Sequence, residues 1–146
     1  MSDNRYESKI TKATAPVEAV YAVLSNLENL EKVRNLIPED KVKDLEITGD
    51  MVRFKVDGLG QKVVVRIEER EENKTVKFAL DNLPVKANFW IQTKGMADDD
   101  TRLKLTLGAD LPIMFRMMLE KKLQDGLDQA ADMLARLPYT QWSSNV

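Results

Sequence analysis

The sequence contains no cysteine and no histidine. The first absence excludes disulfides, thiolate nucleophiles and cysteine metal sites. The second removes the imidazole base that works near neutral pH, the Ser-His-Asp and Cys-His nucleophiles, and His-ligated zinc. Any catalysis has to rest on Asp, Glu, Lys, Arg or Tyr, and no catalytic or metal-ligating constellation and no cofactor is expected. No apolar run approaches the roughly 18 residues that cross a bilayer, so no transmembrane segment is expected. Met1-Ser2-Asp3-Asn4-Arg5-Tyr6 lacks the charged-then-apolar plan of a secretory signal, which makes a cytoplasmic address the expectation. A single-sign charge excess is missing too. Lys and Arg number 22 and Asp and Glu 24, interspersed, for a net charge of −2, and nucleic acid is not an expected partner. No linker composition divides the chain, so the expectation is one domain over residues 1–146 with an ordered core over about 4–139.

What is present is organised around residues 112–137. Pro112-Ile113-Met114-Phe115-Arg116-Met117-Met118-Leu119 leads through Leu123, Leu127, Ala130, Ala131 and Leu134 to Leu137. The apolar residues recur three and four apart, which predicts one amphipathic helix. At 1.5 Å per residue it would be about 39 Å long, enough to lie across the whole face of a sheet. Asp110 is placed to cap it. Gly126 interrupts it at a cost of about 1 kcal/mol relative to Ala. A close approach of the helix to its neighbours is the ordinary compensation, and a bend admitting ligand the alternative.

The upstream chain supplies the sheet. Residues 5–13 alternate as a first strand. Pro16, Glu18, Val17, Val20, Tyr21 and Leu24 predict a short helix ending near Ser25. Ser25-Asn26-Leu27-Glu28 matches a capping box that opens a second short helix striped by Leu27, Leu30, Val33 and Leu36 and stopped at Pro38. From residue 42 the period changes to two, with turn residues every 8–12 positions, among them Gly49-Asp50, Asp57-Gly58-Leu59-Gly60 and Asp98-Asp99-Asp100. That rhythm predicts six meander strands. Alternate positions carry Arg53, Lys55, Arg66, Glu68, Lys77 and Lys104, so one face is wet and the other packs under the helix. The expected architecture is α+β: a seven-stranded curved antiparallel sheet, β-α-α-β6-α, gripping a long C-terminal helix. The Asp98–Asp100 run reads as a solvated turn rather than a calcium site. The tail after Leu137 reads as loosely held.

Tyr21-Ala22-Val23-Leu24-Ser25-Asn26-Leu27-Glu28-Asn29-Leu30, Trp90-Ile91-Gln92, Leu123-Gln124-Asp125-Gly126-Leu127, Ala131-Asp132-Met133-Leu134 and Pro138-Tyr139, in this order of elements, resemble the helix-grip START/Bet v 1-like superfamily. The likeness is to its small bacterial members, often labelled polyketide cyclase/dehydrase-like, and covers nearly the whole chain. It implies a cavity between sheet and C-terminal helix for a lipid, polyketide or other small hydrophobic ligand. Its expected walls are Phe54, Val56, Val65, Phe78 and Leu105 from strands, with Met114, Met117 and Met118 from the helix. By the same resemblance Trp90 and Gln92 point inward as an indole wall and an orienting amide.

Each of these has a plainer reading. A methionine stripe at helical spacing is more often core packing than an adaptable ligand wall. The strand around Trp90 is apolar on both faces. With Trp90 inside, Phe89 and Ile91 form a half-exposed patch open to a dimer mate, and with the strand turned over Trp90 is surface packing. Fold does not fix function, so three functions follow as expectations. The leading one is a non-catalytic hydrophobic-ligand binder or carrier. Behind it stand a cyclase/dehydratase-like enzyme, and a co-chaperone-like interaction module working through Phe89 and Ile91.

Overall fold

A computed structural model describes residues 4–36, 42–56 and 62–143. The side chain of Val56, the Asp57–Gly60 turn and the Pro38 helix stop lie outside the described residues. The elements run β1 (Asn4–Glu7), β2 (Thr11–Ala13), α1 (Val17–Leu24), a 3₁₀ helix (Leu27–Leu36), β3 (Val42–Thr48), β4 (Met51–Val56), β5 (Val63–Glu71), β6 (Thr75–Asp81), β7 (Ala87–Ala97), β8 (Asp100–Ala109), α2 (Ile113–Ala135) and α3 (Tyr139–Ser143). The strands form one antiparallel sheet in the order β1-β8-β7-β6-β5-β4-β3, with β2 also paired to β8. The fold is therefore the expected helix-grip α+β architecture, a curved antiparallel sheet closed by a long C-terminal helix.

The first strand is broken in two, and the break has a mechanism. Ser8 is buried, its backbone N–H donates to the Leu105 carbonyl at 2.8 Å, and its hydroxyl oxygen accepts the Leu105 N–H at 2.9 Å. A side chain thus replaces a backbone acceptor in the ladder, and Lys9 and Ile10 are freed to leave the sheet. The pieces on either side keep their own register on β8, Tyr6 opposite Leu107 and Lys12 opposite Arg102.

The second helix is 3₁₀ rather than α. Its apolar stripe falls at every third residue, Leu27, Leu30 and Val33, and only a helix of three residues per turn stacks such a stripe on one face. Leu27 and Val33 are buried there. Its cap is also one residue later than expected, with the Asn26 Oδ1 accepting the Glu28 N–H at 3.0 Å, while the Ser25 hydroxyl turns back to the Ala22 carbonyl.

The helix α2 follows Pro112 with no side-chain cap, so Asp110 does not cap it, and the Asp110 backbone N–H donates to the Lys86 carbonyl. It runs unbroken through Gly126. A Cβ added there meets nothing within 4 Å, so close approach is not why glycine stands at this position. Close approach does explain Gly95, where a Cβ would sit 3.0 Å from Val17 and push the start of α1 off β7. From Pro138 to Ser143 the chain is not loose: α3 packs on α1, and Tyr139 is buried with its hydroxyl donating to the Leu134 carbonyl at 2.6 Å. No helix among the described residues is long and apolar enough to cross a membrane.

Candidate ligand-binding site

The second half of α2 is fastened to the broken first strand. The Lys9 N–H donates to Asp128 Oδ1 at 2.7 Å, Lys9 Nζ pairs with Asp132 at 2.8 Å, the Thr11 hydroxyl donates to the Ala131 carbonyl at 3.1 Å, and Gln124 Nε2 donates to the Glu7 carbonyl at 2.7 Å. Leu127 and Ala131 are buried beneath these contacts. Lys9, freed by the strand break, and the strand residues Glu7 and Thr11 on either side of it thus hold the helix. Under this end the core is closed, with Val20, Val76, Phe78, Ile91, Leu103 and Leu105 all buried.

The other end is different. On the inner face of the sheet, Phe54, Val65, Ile67, Phe89 and Leu107 are only partly buried although they point to the helix side. Register places them together: Phe54 opposite Val63, Ile67 opposite Phe78, Phe78 opposite Phe89, and Phe89 opposite Leu107. The Phe78 and Phe89 rings lie 5.9 Å apart. Helix α2 packs on β1, β2 and β8 at the far edge, so this apolar surface is incompletely covered. Of the expected wall residues, Phe54, Val65, Phe78 and Leu105 all lie on the inner face of the sheet, Phe54 and Val65 in its partly buried region and Phe78 and Leu105 in the closed core.

It does not bring the methionines there. Met114, Met117 and Met118 are 73%, 78% and 69% exposed, beside exposed Ile113 and Phe115. At 100° per residue they share the helix side of Lys121, Asp125 and Gln129, whereas Leu119, Leu123, Leu127 and Leu134 fall on the opposite, sheet-facing side. Leu119 and Leu123 are the helix residues the methionine stripe concealed. They could have been found by extending the wheel back from Ala131 rather than by counting methionines.

Trp90 and Gln92 also face outward. Trp90 is paired with Lys77 and Thr106 and Gln92 with Lys104, all on the wet face, while Phe89 and Ile91 pair with Leu107 and Leu105 on the inner one. A strand alternates strictly, so the charged neighbours fix its parity. The Trp90 ring lies over Gly108, where a Cβ would stand 3.1 Å from it, between the Arg5 guanidinium at 4.7 Å and the Lys77 ammonium at 5.6 Å. Beneath it the buried Thr106 hydroxyl donates to Gln92 Oε1 at 3.0 Å. Phe89 and Ile91 consequently offer no outer patch for a dimer mate or a protein partner.

A second apolar feature has no counterpart among the sequence expectations. A pocket of about 110 Å³ lies between α1, the 3₁₀ helix and the ends of α2 and α3, lined by Leu24, Leu27, Leu30, Phe78, Leu134 and Trp142 among others. It adjoins a wider cleft of about 560 Å³ through Val33, Met133, Leu137 and Trp142, which line both. A third cleft, of about 290 Å³, sets Arg5 and Tyr6 of β1 against Arg116 and Glu120 of α2.

The ionisable groups are perturbed by structure rather than by one shared site. Hydrogen bonding to Lys62 holds the Glu46 carboxyl below its usual range, and Arg102 does the same for Asp100, the last residue of the acidic turn. Burial raises the Tyr139 hydroxyl well above the ordinary phenol value and raises Tyr21 as well, where the nearby Arg70 opposes the shift. No cluster of three or more carboxylates suited to a metal ion occurs among the described residues.

No family profile and no curated protein matches the sequence. Solved structures share its fold. Norcoclaurine synthase from Thalictrum flavum, in complex with dopamine and hydroxybenzaldehyde, superposes with a TM-score of 0.70 at 15% identity, over 91% of this chain and 84% of that one. A Thermobifida fusca protein gives 0.66 at 13% identity over 94% and 93%, and a START superfamily protein from Mycobacterium smegmatis 0.57 at 16% over 82% and 88%. The expected START/Bet v 1-like likeness is thus found in three dimensions.

Proposed function

We propose that the protein binds or carries a small hydrophobic molecule, a lipid, polyketide or similar, between the inner face of its sheet and the first turns of α2, without transforming it, in the cytoplasm. The observation that carries this reading is the only partly buried apolar cluster of Phe54, Val65, Ile67, Phe89 and Leu107 on the side of the sheet that the helix should close. Leaving such surface wet forgoes about 25 cal/mol per Å², which a ligand entering there recovers. The fold shared with the START superfamily protein supports the same assignment.

Native mass spectrometry of freshly purified protein tests it, with a neutral naphthylamine dye as the added probe. A co-purified apolar ligand, or saturable dye binding weakened by Phe54→Ala and unaffected by Trp90→Phe, is the expected result. Dye binding indifferent to Phe54→Ala sinks the reading.

The likeness to norcoclaurine synthase favours a second reading, a cyclase- or dehydratase-like enzyme. Its chemistry would centre on the cleft where Tyr6 and Arg5 face Glu120 and Arg116. A turnover on aromatic or polyketide-like substrates that disappears in Tyr6→Phe would put this reading first.

A further inference from the structure

We propose that the pocket at the closed end, where α3 meets the 3₁₀ helix, is a separate site for a small amphiphilic carboxylate, its apolar chain between Leu27, Leu30 and Leu134 and its carboxylate at Lys32 and Arg136. The inner part is lined almost wholly by apolar groups, and at about 110 Å³ it takes the end of a short chain or one ring rather than a lipid. Its lining has none of the partly buried cluster under the first turns of α2, so it does not rest on the carrier reading.

The charge at the mouth selects the head group. Lys32, Arg136 and Asp132 line the adjoining cleft, and Asp132 is already held by Lys9 at 2.8 Å. Lys32 and Arg136 have no carboxylate partner among the described residues. The nearby Glu31 is engaged by Arg34 on its own helix. The Lys32 ammonium sits 5.1 Å from the centre of the Trp142 ring, which lines both pocket and cleft. An anion there joins the ammonium without displacing it from the indole, and the chain beyond it runs inward past Trp142. A cationic head would meet the like charges of Lys32 and Arg136, which line the same cleft.

The Trp90→Phe variant leaves Trp142 as the sole indole, and octanoate, octanol and octylamine are titrated against its emission. Octanoate is expected to shift the emission saturably, at least tenfold tighter than octanol, with octylamine weaker still. Lys32→Glu, at an exposed position, should weaken octanoate at least tenfold and strengthen octylamine, and Leu30→Phe, which fills the pocket, should abolish both. Equal affinity for the three amphiphiles, octanoate affinity unchanged in Lys32→Glu, or no saturable response overturns the proposal. Phe54→Ala separates the sites: octanoate binding that falls in that variant and not in Lys32→Glu belongs under the first turns of α2 instead, and also overturns it.

Discussion

The two halves of α2 differ in sequence and in work, and the half richer in large apolar residues is the one that lies outside the core. From Gln124 onward the helix is tied to β1 and β2 by hydrogen bonds and an ion pair that reach the strand break at Ser8, and it buries Leu127 and Ala131. From Ile113 to Met118 it presents five large apolar side chains to solvent, and the sheet opposite keeps Phe54, Val65 and Phe89 half-wet. Apolar content is therefore no guide to which half is core. What decides is the partner: the first strand bends out to meet the second half. A helix anchored at one end over a sheet is hinged by construction, and the free end is where local opening costs least.

The largest expected effect lies in the anchored half. Leu127→Ala removes a buried side chain from the junction and should lower stability by about 2–5 kcal/mol, read as the midpoint of urea unfolding. A loss under about 0.5 kcal/mol would mean that the two halves are equally loose.

Next comes Tyr139, which ties the end of α2 to α3. Its pKa is raised by burial above the ordinary value of 10.0, so the neutral phenol is the form the fold favours. Its contribution is complete below about pH 10 and is lost as pH rises through the alkaline range toward the folded value. Tyr139→Phe removes the bond to the Leu134 carbonyl, should cost about 1 kcal/mol at neutral pH, and should flatten the loss of stability above pH 10. An alkaline transition identical in the variant would assign it to other groups.

Asp128→Ala is smaller. It removes the acceptor for the Lys9 N–H in a partly solvated place and should cost about 0.5–1.5 kcal/mol. Hydrogen exchange should quicken at Lys9 and along residues 124–131. Faster exchange confined to residues 113–118 would contradict the anchoring assigned to this carboxylate.

Much of this architecture is legible in the residues alone. The change of period at residue 42 and the three-and-four spacing from 113 onward are backbone periodicities, and the sheet and α2 follow from them. The charged alternation of β4, β5, β6 and β8 marks their inner faces, so Phe54, Val65, Phe78 and Leu105 fall on the expected side. Trp90 does not, because its own strand is apolar on both faces and only its neighbours fix the parity. The methionines mislead for a related reason: at the free end of a helix no burial enforces the wheel, and apolar residues stand where polar ones stand further along. The 3₁₀ geometry is written in the strict three-residue stripe of Leu27, Leu30 and Val33. The role of the tail is not, since Tyr139 and Trp142 gain their places only from α1 and the 3₁₀ helix across the fold.

The smallest expected effect is the most pointed. Met117 is the most exposed of the large apolar residues on α2, at 78%. Met117→Ser deletes a side chain that touches little, so it should change stability by less than about 0.5 kcal/mol. Leu127→Ala, only about 15 Å further along the same helix, should cost several times more. Binding of the neutral dye should be unchanged in Met117→Ser as well, since Leu119 and Leu123, not Met117, face the sheet. Leu123→Ala is the matched control and should weaken the dye. If Met117→Ser instead destabilises by about 2 kcal/mol or more, the cost of a core truncation, the first turns of α2 spend their time folded over the sheet with the methionines inside. The distinction between an anchored and a free half would then vanish, and the methionine wall would return as part of the site.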